Sequence, residues 1–490
     1  MGSEGQGLEG LELAYEPSMV GNNKKVMVKR DARGRPLIAD GLMFTENPDG
    51  NELRLTVDSD IQYNLETELA NAVTTFDADH AVGVVLDAKT SAIVALASAP
   101  TFDVNKAMKA SAEFRRNKVV TDAFEPGSTM KTFVIASALR ESLVQPNTKF
   151  FCEWGSFRVG DRVIKEAEAK EKFGDMTVSQ ILAMSSNVGT TKIAFKMGQD
   201  KLRQGLLDFG FGQKLGVDLP GEARGMMQAL PWRQHLLSNI SFGHGVSSTP
   251  LQMANAYAAI ANGGVLNTPY IVESVRDSET GLLTETQVKP IRRVLTPEQA
   301  AQMRAMLVGV TTPGFGSGGN ARVEGFMVGG KTGTAQKVNP DGRGYLRGMY
   351  VSSFAGFIPA NDPRFVIYIA VDSPRKSYYG ATVAAPIFSR VASYAVRKAG
   401  IAPLPLASDK VPTKSRKLAA LEKILDKVDY VPTPDNTVPD LMKLSTREVL
   451  RRVRGQDLNV KFVGQGLVSD VVPAAGSALP EDKNITVILR

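Results

Sequence analysis

The pattern of apolar and polar residues changes period along this chain, and each change predicts an element. Leu53–Val57 alternates between apolar and polar residues, as a half-buried strand does. The segment that follows, through Phe76, has the pattern of a helix. Asp58 or Ser59 can cap its N-terminus, because a short polar side chain there accepts a free backbone N–H.

Apolar runs of strand length occur early and again late in the chain. Ala81–Leu86 and Ile93–Ala97 are separated by a short polar segment, which predicts a hairpin. Tyr350–Ile358 and Arg364–Val371 flank a turn that contains two prolines, and Phe326–Val328 is a further strand-like run. Two early strands, three late ones and helices between them predict an α+β domain with an antiparallel sheet that its last strands complete.

The segment Thr132–Leu139 is apolar on almost every side, which predicts a helix buried within a domain. Pro126 and Gly127 form a turn before it, so this helix can begin at Ser128. Lys131 lies three residues after Ser128 and shares its face of the helix. A serine hydroxyl needs a nearby base to act as a nucleophile, and a lysine in an apolar, cation-rich site can lose its proton. The pair therefore predicts a nucleophile and its base.

The spacing Ser-x-x-Lys is weak by itself, since a helix cap followed by a chance lysine has the same pattern. Ser373 and Lys376 form a second copy in this chain. That copy follows a strand-like run and leads into Tyr378 and Tyr379, without a helix to carry it. The context therefore favours the copy at Ser128.

Length and composition narrow the function classes. A chain of 490 residues predicts two or three domains, and its net charge of +7 favours an anionic setting such as a membrane surface or an acidic polymer. Arginine and aromatic residues are not interleaved in a stripe, which argues against nucleic acid as a partner. The three histidines are scattered, so a zinc site or a Ser-His-Asp triad is not expected. Cys152 is the single cysteine, which excludes an internal disulfide.

Proline-rich and lysine-rich composition divides the chain. We expect a partial domain over 1–50, an α+β domain over 51–400, a linker over 401–436 and a small α/β module over 437–490. In the first segment, Lys24–Arg30 and Arg35–Ala39 resemble two strands around a turn. In the last, Ser445–Val453 has the pattern of a helix, and the runs 458–463 and 485–489 have that of strands.

Two further motifs strengthen the first. Ser185 and Asn187 follow a predicted helix over Val178–Met184 and offer a hydroxyl and an amide two residues apart. Lys331–Thr334 follows the strand-like run at 326–328, and its glycine permits close approach of a substrate backbone. Either motif could be structural, as a helix C-cap or a strand end. The three motifs in this order are difficult to explain by chance.

In these motifs the chain resembles the penicillin-binding proteins and the serine β-lactamases. Ser186 stands where the β-lactamase motif has aspartate, a difference common in penicillin-binding transpeptidases. Further segments resemble class B penicillin-binding proteins of the cell-division type over nearly the whole chain: Gly7–Glu12, Ser241–Gly245, Pro250–Ala254, Tyr379–Gly380 and Val383–Pro386. The tail resembles a PASTA module in Val438–Leu441, Gly464–Gly466, Pro473 and Gly476.

The resemblance implies a five-stranded antiparallel sheet with helices on both faces, preceded by a truncated pedestal domain. It implies a D,D-transpeptidase that cross-links peptidoglycan stem peptides in septal or division cell-wall synthesis and is acylated by β-lactams. Ser128 is the implied nucleophile and Lys131 its base, with Ser185 and Asn187 completing the catalytic set. The implied substrate-binding residues, which hold the terminal carboxylate, are Lys331, Thr332, Gly333 and Thr334. Neither a metal nor an organic cofactor is implied.

The same motifs leave other functions open. A D,D-carboxypeptidase or a β-lactamase uses the same site, and a non-catalytic β-lactam or cell-wall sensor could signal through the tail. A hydrolase needs a base for water. Glu166, Glu168 and Glu171 lie between the first two motifs, but lysines surround them, so we predict a solvated face there.

The resemblance also implies partners and a location. The expected ligands are peptidoglycan stem peptides and β-lactams, with other division or cell-wall synthesis proteins as partners. We expect the natural protein to continue upstream into a membrane anchor, which would place these domains on the extracytoplasmic (periplasmic) side of the cell membrane. The tail either binds cell wall or is a packing appendage.

Overall fold

The computed structural model describes residues 6–21, 29–33, 36–37, 49–168, 170–342, 344–403, 437–453, 458–464 and 466–490. The chain divides into two compact units, Met1–Leu406 and Ala407–Arg490. Most of the segment predicted as a linker, residues 404–436, lies outside the described residues. Within the described part of the chain, no helix has both the length and the apolar character needed to cross a lipid bilayer.

The first unit contains thirteen described α-helices and eighteen strands. The helices are α1 Gly10–Ala14, α2 Glu16–Met19, α3 Ser59–Phe76, α4 Ala112–Arg115, α5 Lys118–Thr121, α6 Lys131–Arg140, α7 Val178–Met184, α8 Asn187–Met197, α9 Gln199–Asp208, α10 Gln234–Ser241, α11 Pro250–Ala261, α12 Pro297–Thr311 and α13 Gly380–Lys398. The strands are β1 Lys29–Arg30, β2 Pro36–Leu37, β3 Glu52–Leu55, β4 His80–Asp87, β5 Ile93–Ala99, β6 Lys149–Phe151, β7 Ser156–Val159, β8 Arg162–Lys165, β9 Asp175–Thr177, β10 Met226–Met227, β11 Val246–Ser247, β12 Val265–Asn267, β13 Val272–Arg276, β14 Leu283–Glu285, β15 Pro290–Arg293, β16 Gly329–Val338, β17 Tyr345–Ile358 and β18 Phe365–Asp372.

A five-stranded antiparallel sheet forms the centre of this unit, with strand order β16-β17-β18-β4-β5. The predicted sheet, with two early and three late strands, is therefore confirmed. One face of the sheet packs on a core that includes α3 and α13, and the other packs on a core that includes α6 and α11. The strands β4 and β18 are therefore buried along almost their whole length. Burial on both faces explains why β4 and β18 are nearly continuous apolar runs.

Local sequence accounts for the helix that follows β3. Asp58, one of the two residues predicted as the cap, caps α3 by accepting hydrogen bonds from the N–H groups of Asp60 and Ile61. Ile61, Leu65 and other apolar residues at helical spacing are buried against β5 and α13. A polar cap followed by an apolar stripe is sufficient to fix both the start and the orientation of this helix.

Two elements differ from the sequence prediction. The strand expected at Phe326–Val328 begins instead at Gly329, so Lys331–Thr334 lie on β16 itself rather than after a strand. The helix α8 begins at Asn187, where we expected only the end of the preceding helix. In the N-terminal segment, β1 pairs with β2 in an antiparallel hairpin, and the remaining residues of those two predicted strands lie outside the described residues.

The second unit is a small α/β fold. Its elements are α14 Thr446–Arg452, β19 Asn459–Gly464, β20 Val468–Val472 and β21 Asn484–Leu489. The sheet order is β19-β21-β20, and β19 runs parallel to β21. The helix and the strands β19 and β21 agree with the sequence prediction, whereas β20 was not predicted. Val449, Val471 and Val487 belong to its own hydrophobic core.

Candidate active site

Ser128 lies in a 3₁₀ turn, Gly127–Met130, that leads directly into α6. The serine therefore precedes the α-helix rather than lying on it, although Lys131 still follows within one turn. Gly127 has φ +57°, and a Cβ there would lie 3.0 Å from the carbonyl oxygen of Thr334. This turn consequently packs against β16 with no room for a side chain.

The helix after Ser128 is buried, as predicted. Phe133 contacts the rings of Phe209, Phe211 and Tyr257 at centroid distances of 4.9–5.2 Å. Thr132 Oγ1 and the hydroxyl of Tyr257 lie 2.7 Å apart. Aromatic contacts and a buried hydroxyl pair fix α6 in the core, so its first turn is held rigidly beneath the site.

Lys131 is fully buried and bonded to the second motif. Its Nζ donates to the carbonyl oxygen of Ser185, to Ser185 Oγ at 3.2 Å and to Asn187 Oδ1 at 2.7 Å. Burial lowers the pKa of Lys131 to about 8, against the opposing charges of Glu166 and Glu171. Among the described hydrogen bonds of Nζ, none goes to Ser128.

Ser185 and Asn187 flank the junction between α7 and α8. Ser185 is the C-cap of α7, with φ +62°, and Ser186 is the N-cap of α8. Asn187 Nδ2 donates to the carbonyl oxygen of Lys165 at 2.9 Å, which leaves Oδ1 directed at Lys131. The junction therefore brings a hydroxyl, a carbonyl and an amide oxygen onto one amine.

The third motif lies along β16. Lys331 is fully buried, and burial together with the charge of Lys131 holds its pKa well below the ordinary value. Thr332 Oγ1 lies 3.4 Å from Ser317 Oγ. Thr334 Oγ1 accepts a hydrogen bond of 3.0 Å from the N–H of Gly380. The strand thus presents an amine and two hydroxyls beside the first motif.

Gly333 allows β16 to approach the nucleophile turn. A Cβ at this position would lie 2.3 Å from Ser353 Oγ and 2.9 Å from the carbonyl oxygen of Pro126. A Cβ at Gly380 would lie 2.2 Å from the carbonyl oxygen of Gly333. Close backbone contact, which only glycine permits, therefore joins the first motif, the third motif and the start of α13.

A polar cluster near the nucleophile turn was not identified from the sequence. Glu125 is buried, accepts a hydrogen bond of 2.7 Å from the N–H of Gly245, and lies 2.9 Å from His244 Nδ1. The hydroxyl of Tyr345 lies 3.1 Å from the same nitrogen. His244 was singled out only as part of a family segment, because three isolated polar residues far apart in the chain give no local signal.

The prediction of a solvated face between the first two motifs is wrong for Glu166. Lys165, Lys170 and Lys172 are exposed, but Glu166 is only 7% exposed and is hydrogen-bonded to the second motif. Glu171 is half-buried, and burial and nearby carboxylates raise its pKa. Alternating charges in a sequence do not show which side chain a tertiary contact buries.

The second Ser-x-x-Lys copy does not form a comparable site. Ser373 is buried at a φ of +52°, and its hydroxyl accepts a hydrogen bond of 3.1 Å from Lys337. Lys376 is exposed, and the segment between β18 and α13 that carries both residues is irregular. Ser373 therefore lacks the buried lysine one turn further along the chain that Ser128 has in Lys131.

Comparison with known proteins identifies the family. The family model described as the penicillin-binding protein transpeptidase domain matches residues 81–393, a range that contains all three motifs. This chain belongs to the penicillin-binding protein transpeptidase family. A second model, the PASTA domain, matches residues 436–490. The family and the module inferred from the motifs are both confirmed.

Individual relatives agree with this family. Stage V sporulation protein D of Bacillus subtilis is 35% identical over 100% of this chain and 73% of its own length. The probable peptidoglycan D,D-transpeptidase PenA of Neisseria gonorrhoeae is 35% identical over 84% of this chain and 68% of its own. The crystal structure of penicillin-binding protein 3 from Mycobacterium tuberculosis, complexed with aztreonam, superposes with a TM-score of 0.73 at 31% identity, over 83% of this chain and 88% of that one. Members of this family therefore share both sequence and fold with the chain over most of its length.

Proposed function

We propose that this chain is a peptidoglycan D,D-transpeptidase that acts through an acyl-enzyme at Ser128. The observation that carries the proposal is Lys131, a fully buried amine one turn from Ser128, with a pKa lowered to about 8. A group with that pKa is about one-tenth neutral at pH 7, which is enough for it to act as a base.

The first half-reaction consumes a stem peptide that ends in D-alanyl-D-alanine. Ser128 Oγ attacks the carbonyl between the two D-alanines, and its proton passes to Lys131. The C–N bond then breaks, the proton is delivered to the leaving amine, and D-alanine departs. Backbone N–H groups of Ser128 and Thr334 stabilise the oxyanion. In the second half-reaction, an amine of a neighbouring stem attacks the ester and releases Ser128.

The terminal carboxylate of the donor is held by the third motif. Lys331 has a depressed pKa in the free site because it is buried beside another amine. An incoming carboxylate favours its charged form. Thr332 and Thr334 supply hydroxyl donors, while Gly333 lets the substrate backbone approach β16. The same groups can hold the carboxylate of a β-lactam.

We extend the proposal to the remaining parts of the chain. Residues 51–400 carry the chemistry, 1–50 belong to a pedestal domain, 401–436 link the units, and the PASTA module at 437–490 contacts cell wall. The enzyme acts at the extracytoplasmic side of the cell membrane, where its substrate lies, together with other proteins of division or cell-wall synthesis. Cell fractionation and affinity purification from the source organism test location and partners.

Intact-mass analysis tests the central claim. Incubation with penicillin should add the mass of one intact drug molecule, and peptide mapping should place it on Ser128. A peptide ending in D-alanyl-D-alanine, supplied with an acceptor amine, should then yield free D-alanine and a cross-linked product. Binding of penicillin without turnover of peptide would favour a sensor instead.

A further inference from the structure

Glu166 is a buried carboxylate behind the second motif, and the proposed chemistry does not use it. It follows β8 directly and is 7% exposed. Its Oε1 accepts hydrogen bonds from Ser186 Oγ at 2.6 Å and from the N–H of Val188 at 3.4 Å, while Oε2 accepts from the N–H of Asn187 at 2.6 Å. Three donors from consecutive residues therefore hold one carboxylate.

These bonds cap the helix that begins at Asn187. Ser186 Oγ itself accepts a hydrogen bond of 2.9 Å from the N–H of Gly189. Carboxylate and hydroxyl together satisfy the first N–H groups of α8, which have no partner within the helix. A negative charge is also favourable at a helix N-terminus. The start of α8 is thus bound to the end of β8.

Lys165, the residue before Glu166, holds the side chain of Asn187. The carbonyl oxygen of Lys165 accepts from Asn187 Nδ2 at 2.9 Å, and Asn187 Oδ1 then faces Lys131 at 2.7 Å. Adjacent residues of one segment therefore fix the backbone and the side chain of the same asparagine. The carbonyl oxygen of Gly155 supports this segment, because it accepts a hydrogen bond of 3.3 Å from the N–H of Glu166.

We propose that Glu166 is a positioning residue for acylation, which holds the Ser185–Asn187 turn against Lys131. The inference rests on the proposed function, since it concerns the same lysine and serine. The carboxylate does not touch the substrate in this role. It acts through Asn187 and Ser186, whose positions depend on both of its oxygens.

The charge of Glu166 has a second effect on the same amine. Glu166 and Glu171 raise the pKa of Lys131 against the burial that lowers it, and the charge of Lys131 in turn lowers the pKa of Lys331. Glu171 Oε2 accepts from the N–H of Glu168 at 3.2 Å and makes no described hydrogen bond to the second motif. The two carboxylates therefore share an electrostatic effect but differ in their contacts.

This difference gives a matched pair of variants. Glu166→Gln removes the charge and places an amide N–H against the N–H of Asn187 or the hydroxyl of Ser186. Glu171→Gln also removes a charge, but it leaves the hydrogen bonds of the second motif intact. Glu168→Gln, on the same loop, serves as the control, because Glu168 is half-buried and pairs with Lys170 rather than with the second motif. Acylation by penicillin is followed by intact mass from about pH 6 to about pH 10, a range that covers the titration of the base.

For Glu166→Gln we expect the high-pH plateau of the acylation rate to fall about 10-fold to 100-fold, as misplacement of a catalytic group by about 1 Å can cause. The midpoint of the rise of the acylation rate with pH should move to lower pH, because the charge of Glu166 raises the pKa of Lys131. Glu171→Gln should show the lower midpoint with a plateau near that of the parent, and Glu168→Gln should show neither change. Glu166→Asp keeps the charge, so its midpoint should remain and its plateau should lie between those of the parent and Glu166→Gln.

A parent that penicillin does not acylate would reject the proposed function. A parent that is acylated, with a Glu166→Gln variant that reaches the same plateau, would reject the positioning role alone. If Glu166→Gln does not fold, Glu166→Asp tests the positioning role instead. An acylation rate for Glu166→Asp that reaches the same high-pH plateau as the parent's would likewise overturn the inference. A second measurement uses Asn187→Ala: on that background the further loss from Glu166→Gln should be smaller than in the parent, whereas full additivity would show that Glu166 does not act through Asn187.

Discussion

Lys131 Nζ and Asn187 Oδ1 are joined by a hydrogen bond of 2.7 Å, which connects the first motif to the second. The carbonyl oxygen of Ser185 is a further acceptor for the same amine. A neutral lysine amine has two N–H bonds and one lone pair. If those two oxygens hold the N–H bonds, the lone pair remains for the hydroxyl proton of Ser128.

The state of Lys131 predicts how acylation depends on pH. The pKa of Lys131 is lowered to about 8, and its neutral form is the active one. The rate of acylation should therefore rise as pH increases and level off above about pH 8, since protonated lysine cannot accept the proton. Lys131→Arg should lose at least about 100-fold, because guanidinium remains charged in proteins. A variant with arginine that acylates at the parent's rate would show that another group is the base.

Ser128→Ala should fold as the parent does and gain no mass from penicillin, because the hydroxyl that forms the ester is absent. Ser373→Ala is the matched control, as it removes the serine of the other Ser-x-x-Lys copy, which is bonded to Lys337. That control should acylate as the parent does. A penicillin adduct on the Ser128→Ala variant would contradict the assignment of the nucleophile. A Ser373→Ala variant that forms no adduct would contradict it as well.

Much of the fold could be predicted from the sequence because its signals are local. Asp58 caps α3 with its own side chain, and α7 was predicted with the bounds that the structure shows, Val178–Met184. The strands β4 and β18 are buried on both faces, so their apolar runs are continuous. In such elements a few neighbouring residues contain the information that determines the structure.

The site was harder to predict where tertiary contacts decide the structure. Lys331–Thr334 lack an apolar pattern, and they form a strand because β17 pairs with them. The burial of Glu166 depends on donors twenty and more residues further along the chain. The sequence placed Ser128, Lys131 and Asn187 in their motifs, but it gave no sign of what holds those motifs together.

Gly333→Ala tests the close approach of β16 to the nucleophile turn. The added methyl group would meet Ser353 Oγ at 2.3 Å, so we expect the strand to shift, acylation to slow and stability to fall by about 1–3 kcal/mol, as in other overpacked sites. Gly319→Ala is the control, because a Cβ there meets no atom within 4 Å. Acylation rates and thermal unfolding of both variants provide the measurement. Equal acylation rates and equal thermal stability of the two variants would mean that the close contact at Gly333 is not needed for acylation or for stability.

The division into two units predicts that the tail can be removed. Ile401 and Pro403 still belong to the first unit. Ile401 donates its N–H to the carbonyl oxygen of Val396, and Pro403 packs so closely on Gly325 that a Cβ there would lie 2.5 Å from its own Cβ. A truncation should therefore come after these residues. A protein truncated after Leu406 should be acylated by penicillin at the parent's rate and should bind isolated cell wall less well. A large loss of acylation would show that the tail supports the site.

The stability of the acyl-enzyme separates a transferase from a hydrolase. Both enzymes form the same ester at Ser128, and only the hydrolase needs a base placed to activate water. Glu166 is buried, and both of its oxygens accept hydrogen bonds from Ser186, Asn187 and Val188, so it is not free to hold that water. We therefore expect the penicilloyl adduct to survive for many minutes after free drug is removed, with negligible turnover of a chromogenic cephalosporin.

The adduct is followed by intact mass over time while cephalosporin hydrolysis is monitored in parallel. Loss of the adduct within seconds, with steady hydrolysis, would place this chain with the β-lactamases. In that case Glu171 is the carboxylate to examine, since it is half-buried and its charge acts on both Lys131 and Lys331. Glu171→Gln would then prolong the life of the adduct if this side chain activates the water, and would leave it unchanged if it does not.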